Sequence, residues 1–379
     1  PTSPVPADVR RGRTRRIAAF LAVLAVQFGI FELGLRTWGS SEAAPAFQGL
    51  FSDDPRIGYR LRPGARIRFA TAEFDTRIDI NGGGFRDDEE LGPKRPDERR
   101  ILLLGDSLVH AVQVPFAETF GERLERRLNA GQTSVRYRVV NAGVQGYGPV
   151  EELLLLRSIL SRVEPDLVIA ALFVGNDAEE AVTSAPRLTG ERPAAAALRD
   201  TAATRLRRLV RRSMVLQILR LRVTAATGRF TWGTAPPEPP LQSYAAAPVP
   251  RIARGLALTR QAVEGIVQEA GRAGAPAAIV LMPARFQVDD ADYGRLRAAG
   301  ADAGGALVRD AATDRFRTAL DGLDAPLLDP LPALRAALPG PDLFFQQTVH
   351  LTPRGHAVVA EALERFLREA RLVEPVPGR

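Results

Sequence analysis

From residue 100 onward, short apolar runs alternate with stretches in which apolar side chains return every three or four positions. Runs at 100–104, 136–140, 166–174, 277–282 and 325–328 have strand length and are apolar enough to be buried. Between them, Phe116–Leu128 carries Phe120, Leu124 and Leu128 on one stripe, and 150–160 and 257–273 show the same helical period. A final helix starts at Thr352, whose hydroxyl suits an N-cap, with Pro353 in the first turn where its missing N–H costs nothing, and runs to about Leu372. Strand and helix alternating in this way predict βαβ units, hence an α/β fold around a five-stranded parallel sheet.

Three regions depart from that rhythm. Arg10, Arg11, Arg13, Arg15 and Arg16 precede an apolar run from Ile17 that reaches Leu35 if Gln27, Gly29 and Glu32 are passed over. A basic stretch ahead of about 19 mostly apolar residues is expected to be an uncleaved signal anchor, its arginines cytoplasmic and everything after residue 40 outside the cytoplasm. Residues 40–99 are rich in turns and contain alternating stretches such as Arg77-Ile78-Asp79-Ile80, which suggests a small β-rich preamble. Residues 185–254 interrupt the third and fourth strands with an arginine-rich amphipathic segment, Thr204–Arg222, and a proline-rich loop at 236–240. The expected organisation is a basic tail (1–16), a transmembrane helix (17–36), the preamble (40–99), and one α/β domain (100–375) carrying the insertion.

Composition narrows the chemistry. With 45% hydrophobic and 25% charged residues the bulk of the chain is able to bury a core, which excludes intrinsic disorder. The absence of cysteine removes thiolate metal sites, disulfides and a cysteine nucleophile. The net charge of +7 is concentrated at Arg10–Arg16 and Arg205–Arg222 without interleaved aromatics, so no nucleic-acid partner is expected. No cofactor or metal is expected either.

Ser107 follows the first strand of the α/β region in Leu104-Gly105-Asp106-Ser107, a position that presents a hydroxyl at the carboxyl edge of a parallel sheet, beside the N–H groups of a helix start. Asn141 to Gly146 ends the second strand, where Gly146 offers an N–H with no side chain in the way. Gly175-Asn176-Asp177 ends the third, where Asn176 offers an amide to a developing oxyanion. A serine hydroxyl needs a neighbouring base. His350, just before the last helix, is the best placed of three histidines; His110 fits a pocket wall and His356 the second turn of that helix.

With these blocks in this order, residues 100–375 apart from the insertion resemble the SGNH/GDSL hydrolase superfamily. The N-terminal run, Asp54-Pro55-Arg56-Ile57-Gly58-Tyr59 and Asn81-Gly82-Gly83-Gly84-Phe85-Arg86-Asp87 resemble its membrane-anchored bacterial branch. The resemblance implies a three-layer α/β/α domain with a flavodoxin-like sheet. It implies Ser107 as nucleophile, His350 as base, and an oxyanion hole of Ser107 N–H, Gly146 N–H and the Asn176 amide. The implied substrate is an acyl ester of a glycan or lipid. Hydrolysis, O-acyl transfer to an envelope glycan, and a degenerate binding or assembly module all stay open.

One position departs from the family pattern. Where an aspartate is usual, three residues before the histidine, the chain has Gln347. A glutamine oxygen is able to orient an imidazole but not to stabilise an imidazolium as a carboxylate does. Either Gln347 orients His350 in a dyad, or a carboxylate from elsewhere, with Asp342 the nearest upstream, fills the role, or the activity has decayed.

Overall fold

The computed structural model describes residues 22–24, 26–34, 49–130, 135–190, 215, 241–298 and 307–374. Two compact units separate, one of Pro1–Ala46 with Arg199–Thr231, the other of Phe47–Leu198 with Trp232–Arg379. In the first, every described residue from Ala22 to Gly34 is helical, and Val23, Val26, Ile30, Phe31 and Leu33 are exposed. The Glu32 carboxylate there accepts the Val215 N–H at 3.1 Å. Among the described residues no helix is long and apolar enough to cross a membrane. Of the expected anchor, 17–36, residues 22–24 and 26–34 are described, whereas the amphipathic segment Thr204–Arg222 lies outside the described residues except for Val215.

The second unit is built on five parallel strands: β5 (Glu98–Gly105), β6 (Arg136–Asn141), β7 (Leu167–Phe173), β8 (Ala277–Met282) and β9 (Leu327–Leu328). They lie in the order β6-β5-β7-β8-β9, the doubly wound arrangement in which sites form at the strand ends flanking the order reversal. Ahead of them come two antiparallel hairpins, β1 (Phe51–Asp54) with β2 (Gly58–Leu61), and β3 (Arg66–Ala70) with β4 (Asp75–Asp79).

Alternation along β5 divides the core between the two sheet faces. Ile101 and Leu103 point to a core shared with α2 (Phe120–Leu128) and the last helix, α10 (Pro353–Glu369). Leu102 and Leu104 point to the core of α3 (Pro149–Val163). The preamble side chains Leu50, Ile57, Leu61, Ile78, Ile80 and Phe85 belong to that second core, so the preamble packs one face onto the α/β domain while much of its two hairpins stays exposed.

The predicted strands are all found within one or two residues of expectation, the last being the shortest. At β9 the ladder is only two residues long, because Pro326 has no N–H to donate and contributes its carbonyl alone, to the Ile279 N–H at 3.0 Å. Thr352 caps α10 as expected, its hydroxyl accepting the Gly355 N–H at 3.3 Å. The helix stops at Glu369, ahead of the predicted Leu372, because Arg371 takes a left-handed φ of 57° and the Leu372 N–H turns back to the Leu367 carbonyl.

Candidate active site

The short helix α1 (Ser107–His110) starts directly at the carboxyl end of β5. Asp106, not Ser107, is its N-cap: the Asp106 carboxylate accepts the Leu108 N–H at 2.8 Å, which leaves the half-buried Ser107 hydroxyl free of capping duty. The turn is as tight as Gly105 permits, since a Cβ there would lie 2.2 Å from a Val109 methyl.

The β6 loop is tied to this turn through its main chain. The Val144 N–H reaches the Gly105 carbonyl at 3.0 Å, and the Asn141 amide donates to the Val109 carbonyl at 2.8 Å. Gly146 sits at φ +76° with the Tyr59 hydroxyl 2.8 Å from where a Cβ would be, so its N–H is presented where no other residue fits. After β7, Asn176 caps α4 (Asp177–Ser184). Its amide nitrogen donates to Glu180 Oε1 at 2.9 Å, and its amide oxygen has no partner.

His350 is buried, and neither ring nitrogen has a hydrogen-bond partner. Burial pushes it down to about 4, so the ring is neutral at ordinary pH. His110 is held well below the usual histidine range, first by burial and then by unfavourable electrostatics with Arg86 and His350. His356 is a packing residue. Its Nδ1 accepts the Phe120 N–H at 3.2 Å and its ring stacks on Phe120, with burial as the main reason it falls to about 3.

Gln347 does not take the expected role. Its side chain is exposed, and its backbone N–H is turned to Glu73 Oε2 at 2.8 Å. Asp342 is exposed as well, its carboxylate accepting the Gln346 side-chain amide at 2.9 Å. Both side chains are exposed, and among the described residues no carboxylate or amide is hydrogen-bonded to the imidazole.

Five residues around the site escape a reading of local sequence. Arg86 is fully buried and donates to the carbonyls of His110 and Val114 at 2.6 Å each, closing the open end of α1; burial lowers its guanidinium to about 10. Tyr59 donates to the Gln145 carbonyl at 2.8 Å, and Glu73 accepts from the His350 loop. Glu180, next to Asn176, is pushed up to about 8, first by burial and then by Asp106. Asp106 itself is raised to about 6 by burial. Behind them Glu152 is raised well above its usual range by burial and by Asp106, and neither of its carboxyl oxygens has a partner. Tyr59 and Arg86 lie inside the two preamble motifs, so their positions were marked, but nothing local states which loop each would hold.

The family model for GDSL-like lipases and acylhydrolases matches residues 103–358, about two thirds of the chain. No curated protein matches. Among solved structures, the chain is similar to a lipase/acylhydrolase from Enterococcus faecalis, at 15% identity and a TM-score of 0.40 over 73% of this chain and 98% of that one. It is also similar to the psychrotrophic esterase EstA from Pseudoalteromonas sp., at 13% identity and 0.39 over 72% and 98%. A third likeness is to a catalytic mutant of an acetylxylan esterase from Geobacillus stearothermophilus, at 14% identity and 0.38 over 74% and 97%.

Proposed function

Because the chain belongs to the GDSL-like lipase/acylhydrolase family and is by that membership a serine ester hydrolase, we propose that it cleaves its ester through Ser107 and His350 as a dyad with no carboxylate on the imidazole. The observation that carries this reading is a serine at the start of α1 that is not used as its cap, together with a buried, neutral imidazole that has no hydrogen-bond partner among the described residues.

In this reading His350 takes the Ser107 proton as Oγ bonds to the ester carbonyl carbon. The oxyanion that forms is met by the N–H groups of Ser107 and Gly146 and by the second N–H of the Asn176 amide, the first being held by Glu180. The carbon–oxygen bond to the alcohol then breaks, and the alcohol leaves with the proton from His350. Water repeats the sequence on the acyl-enzyme: His350 removes its proton, the hydroxyl adds to the acyl carbon, and Ser107 leaves reprotonated with the free acid released. Without a carboxylate the imidazolium is stabilised less than in a triad, so the dyad is a slower variant of the same chemistry.

The finer reading places the hydrolase outside the cytoplasm on an N-terminal anchor, acting on an envelope glycan or lipid ester. Its support is the arginine run ahead of Ile17 and the exposed apolar side chains of the described part of that helix. The test is labelling with a fluorophosphonate probe read by intact mass. One adduct, lost in Ser107→Ala, is the expected result; an unlabelled protein, or an adduct that survives Ser107→Ala, overturns the assignment. Protease shaving of sealed cells tests the placement, with digestion of the α/β domain expected and full protection contradicting it.

A further inference from the structure

Two successive peptide units just before His350 are held at both ends. The carbonyls of Phe345 and Gln346 accept from the Arg285 guanidinium at 3.0 and 2.8 Å. On the opposite side the N–H groups of Gln346 and Gln347 donate to the two oxygens of a single carboxylate, Glu73 Oε1 at 2.6 Å and Glu73 Oε2 at 2.8 Å. Arg285 belongs to the α/β domain, at the start of α6 (Arg285–Val288). Glu73 does not: it stands at the tip of the β3–β4 hairpin, more than 270 residues away in sequence. The neighbouring Phe74 ring meets the Phe345 ring at 5.3 Å and the Phe69 ring at 5.2 Å, which seats the hairpin tip on the same loop.

What this grip controls follows from the bonds of the loop. The Phe345 N–H donates to the His350 carbonyl at 3.0 Å, and the His350 N–H reaches the Thr348 hydroxyl at 3.3 Å. The imidazole has no bond of its own. Its place is therefore set by its packing and by the path of the main chain, and that path is fixed where Glu73 and Arg285 meet it.

We propose, resting on the hydrolase reading above, that Glu73 is a positioning residue for His350, and that the preamble is through it a working part of the active site. Glu73 supplies from a separate hairpin the placement that an aspartate in the histidine loop would otherwise give. It does so through main-chain amides and without touching the ring, so the base is placed but its imidazolium is not stabilised. Two charge-assisted bonds to one carboxylate make a geometric constraint that a single neutral bond does not, and small misplacements of a base are costly in rate.

The test compares Glu73→Ala, Glu73→Gln and a control in the same hairpin, Arg68→Ala, which removes the exposed ion pair with Asp75 and touches neither amide. The readouts are kcat and KM on p-nitrophenyl acetate and amide hydrogen exchange of the full chain. Glu73→Ala is expected to lower kcat by roughly 10- to 100-fold with KM within about two-fold of wild type, and to speed exchange in the segment 345–351 while 66–79 stays protected. Glu73→Gln keeps one acceptor and is expected to fall between, and Arg68→Ala to match wild type in both readouts. A kcat within two-fold of wild type in Glu73→Ala, or unchanged exchange at 345–351, would overturn the proposal. So would loss of protection across the whole hairpin in Glu73→Ala, which would make Glu73 a plain structural contact. If wild type itself turns over no ester, the hydrolase reading fails, and the exchange arm alone still decides whether Glu73 holds the loop.

Discussion

The turn that holds Ser107, the proposed nucleophile, and the loop that holds His350 are built by different means. Gly105, Asp106 and Ser107 are held by the sheet itself: the strand register, the Asp106 cap and the Val144 bond to Gly105 all come from the parallel core. The loop at 343–350 has no strand to continue. Its main chain is fixed between Arg285 and Glu73, and its functional ring is fixed by nothing polar. Arranged this way, the start of the serine turn is set by the sheet, with the preamble's Arg86 bracing only its far end, whereas the main chain before the base is held by a preamble side chain directly.

Removing either half of the dyad should have the largest effect. Ser107→Ala and His350→Ala are each expected to lower kcat/KM by about 10³- to 10⁴-fold with an unchanged Tm, by analogy with triad members that act as a unit. A double variant no worse than either single one would confirm that the two act together; multiplied losses would separate them. Arg86→Ala is expected to cost about 2 to 4 kcal/mol in stability, because it strips donors from buried carbonyls at the end of α1, and to appear as a Tm lower by several degrees in thermal unfolding. A Tm within a degree of wild type would mean that water replaces the guanidinium.

The smallest expected effect is the most discriminating. Gln347→Asp would restore the family's usual residue, yet the side chain points outward beside the Glu73 carboxylate. Turnover is therefore expected to stay within about three-fold of wild type and not to rise, since like charges brought together gain nothing. A tens-fold increase in kcat would show that the loop can turn residue 347 onto the ring.

How much of this was legible depended on the range of the interaction. Strands β5 to β8 were plain because each is a buried apolar run, and the turns that hold Ser107 and Asn176 could be placed because each follows such a run within three residues. His350 could be placed from the Thr352 cap that follows it. The role assigned to Gln347 failed because spacing from a histidine predicts a side chain's position only if the main chain between them is regular, and here a carboxylate more than 270 residues distant sets that path. Glu73, Tyr59 and Arg86 act on the main chain of remote loops, and no local periodicity encodes such a contact. The motifs around Tyr59 and Arg86 marked them as special without saying for what.

The pH dependence of kcat/KM on a simple ester tests the central claim, a buried base with no carboxylate. The neutral ring is the working form, and burial places its loss of a proton at about 4, below the ordinary histidine value. Activity should therefore hold as pH falls through 6.5 and drop only near 4, with the limb abolished in His350→Ala. An acid limb at 6.5 or higher would show an imidazolium stabilised by a partner, and would contradict the account.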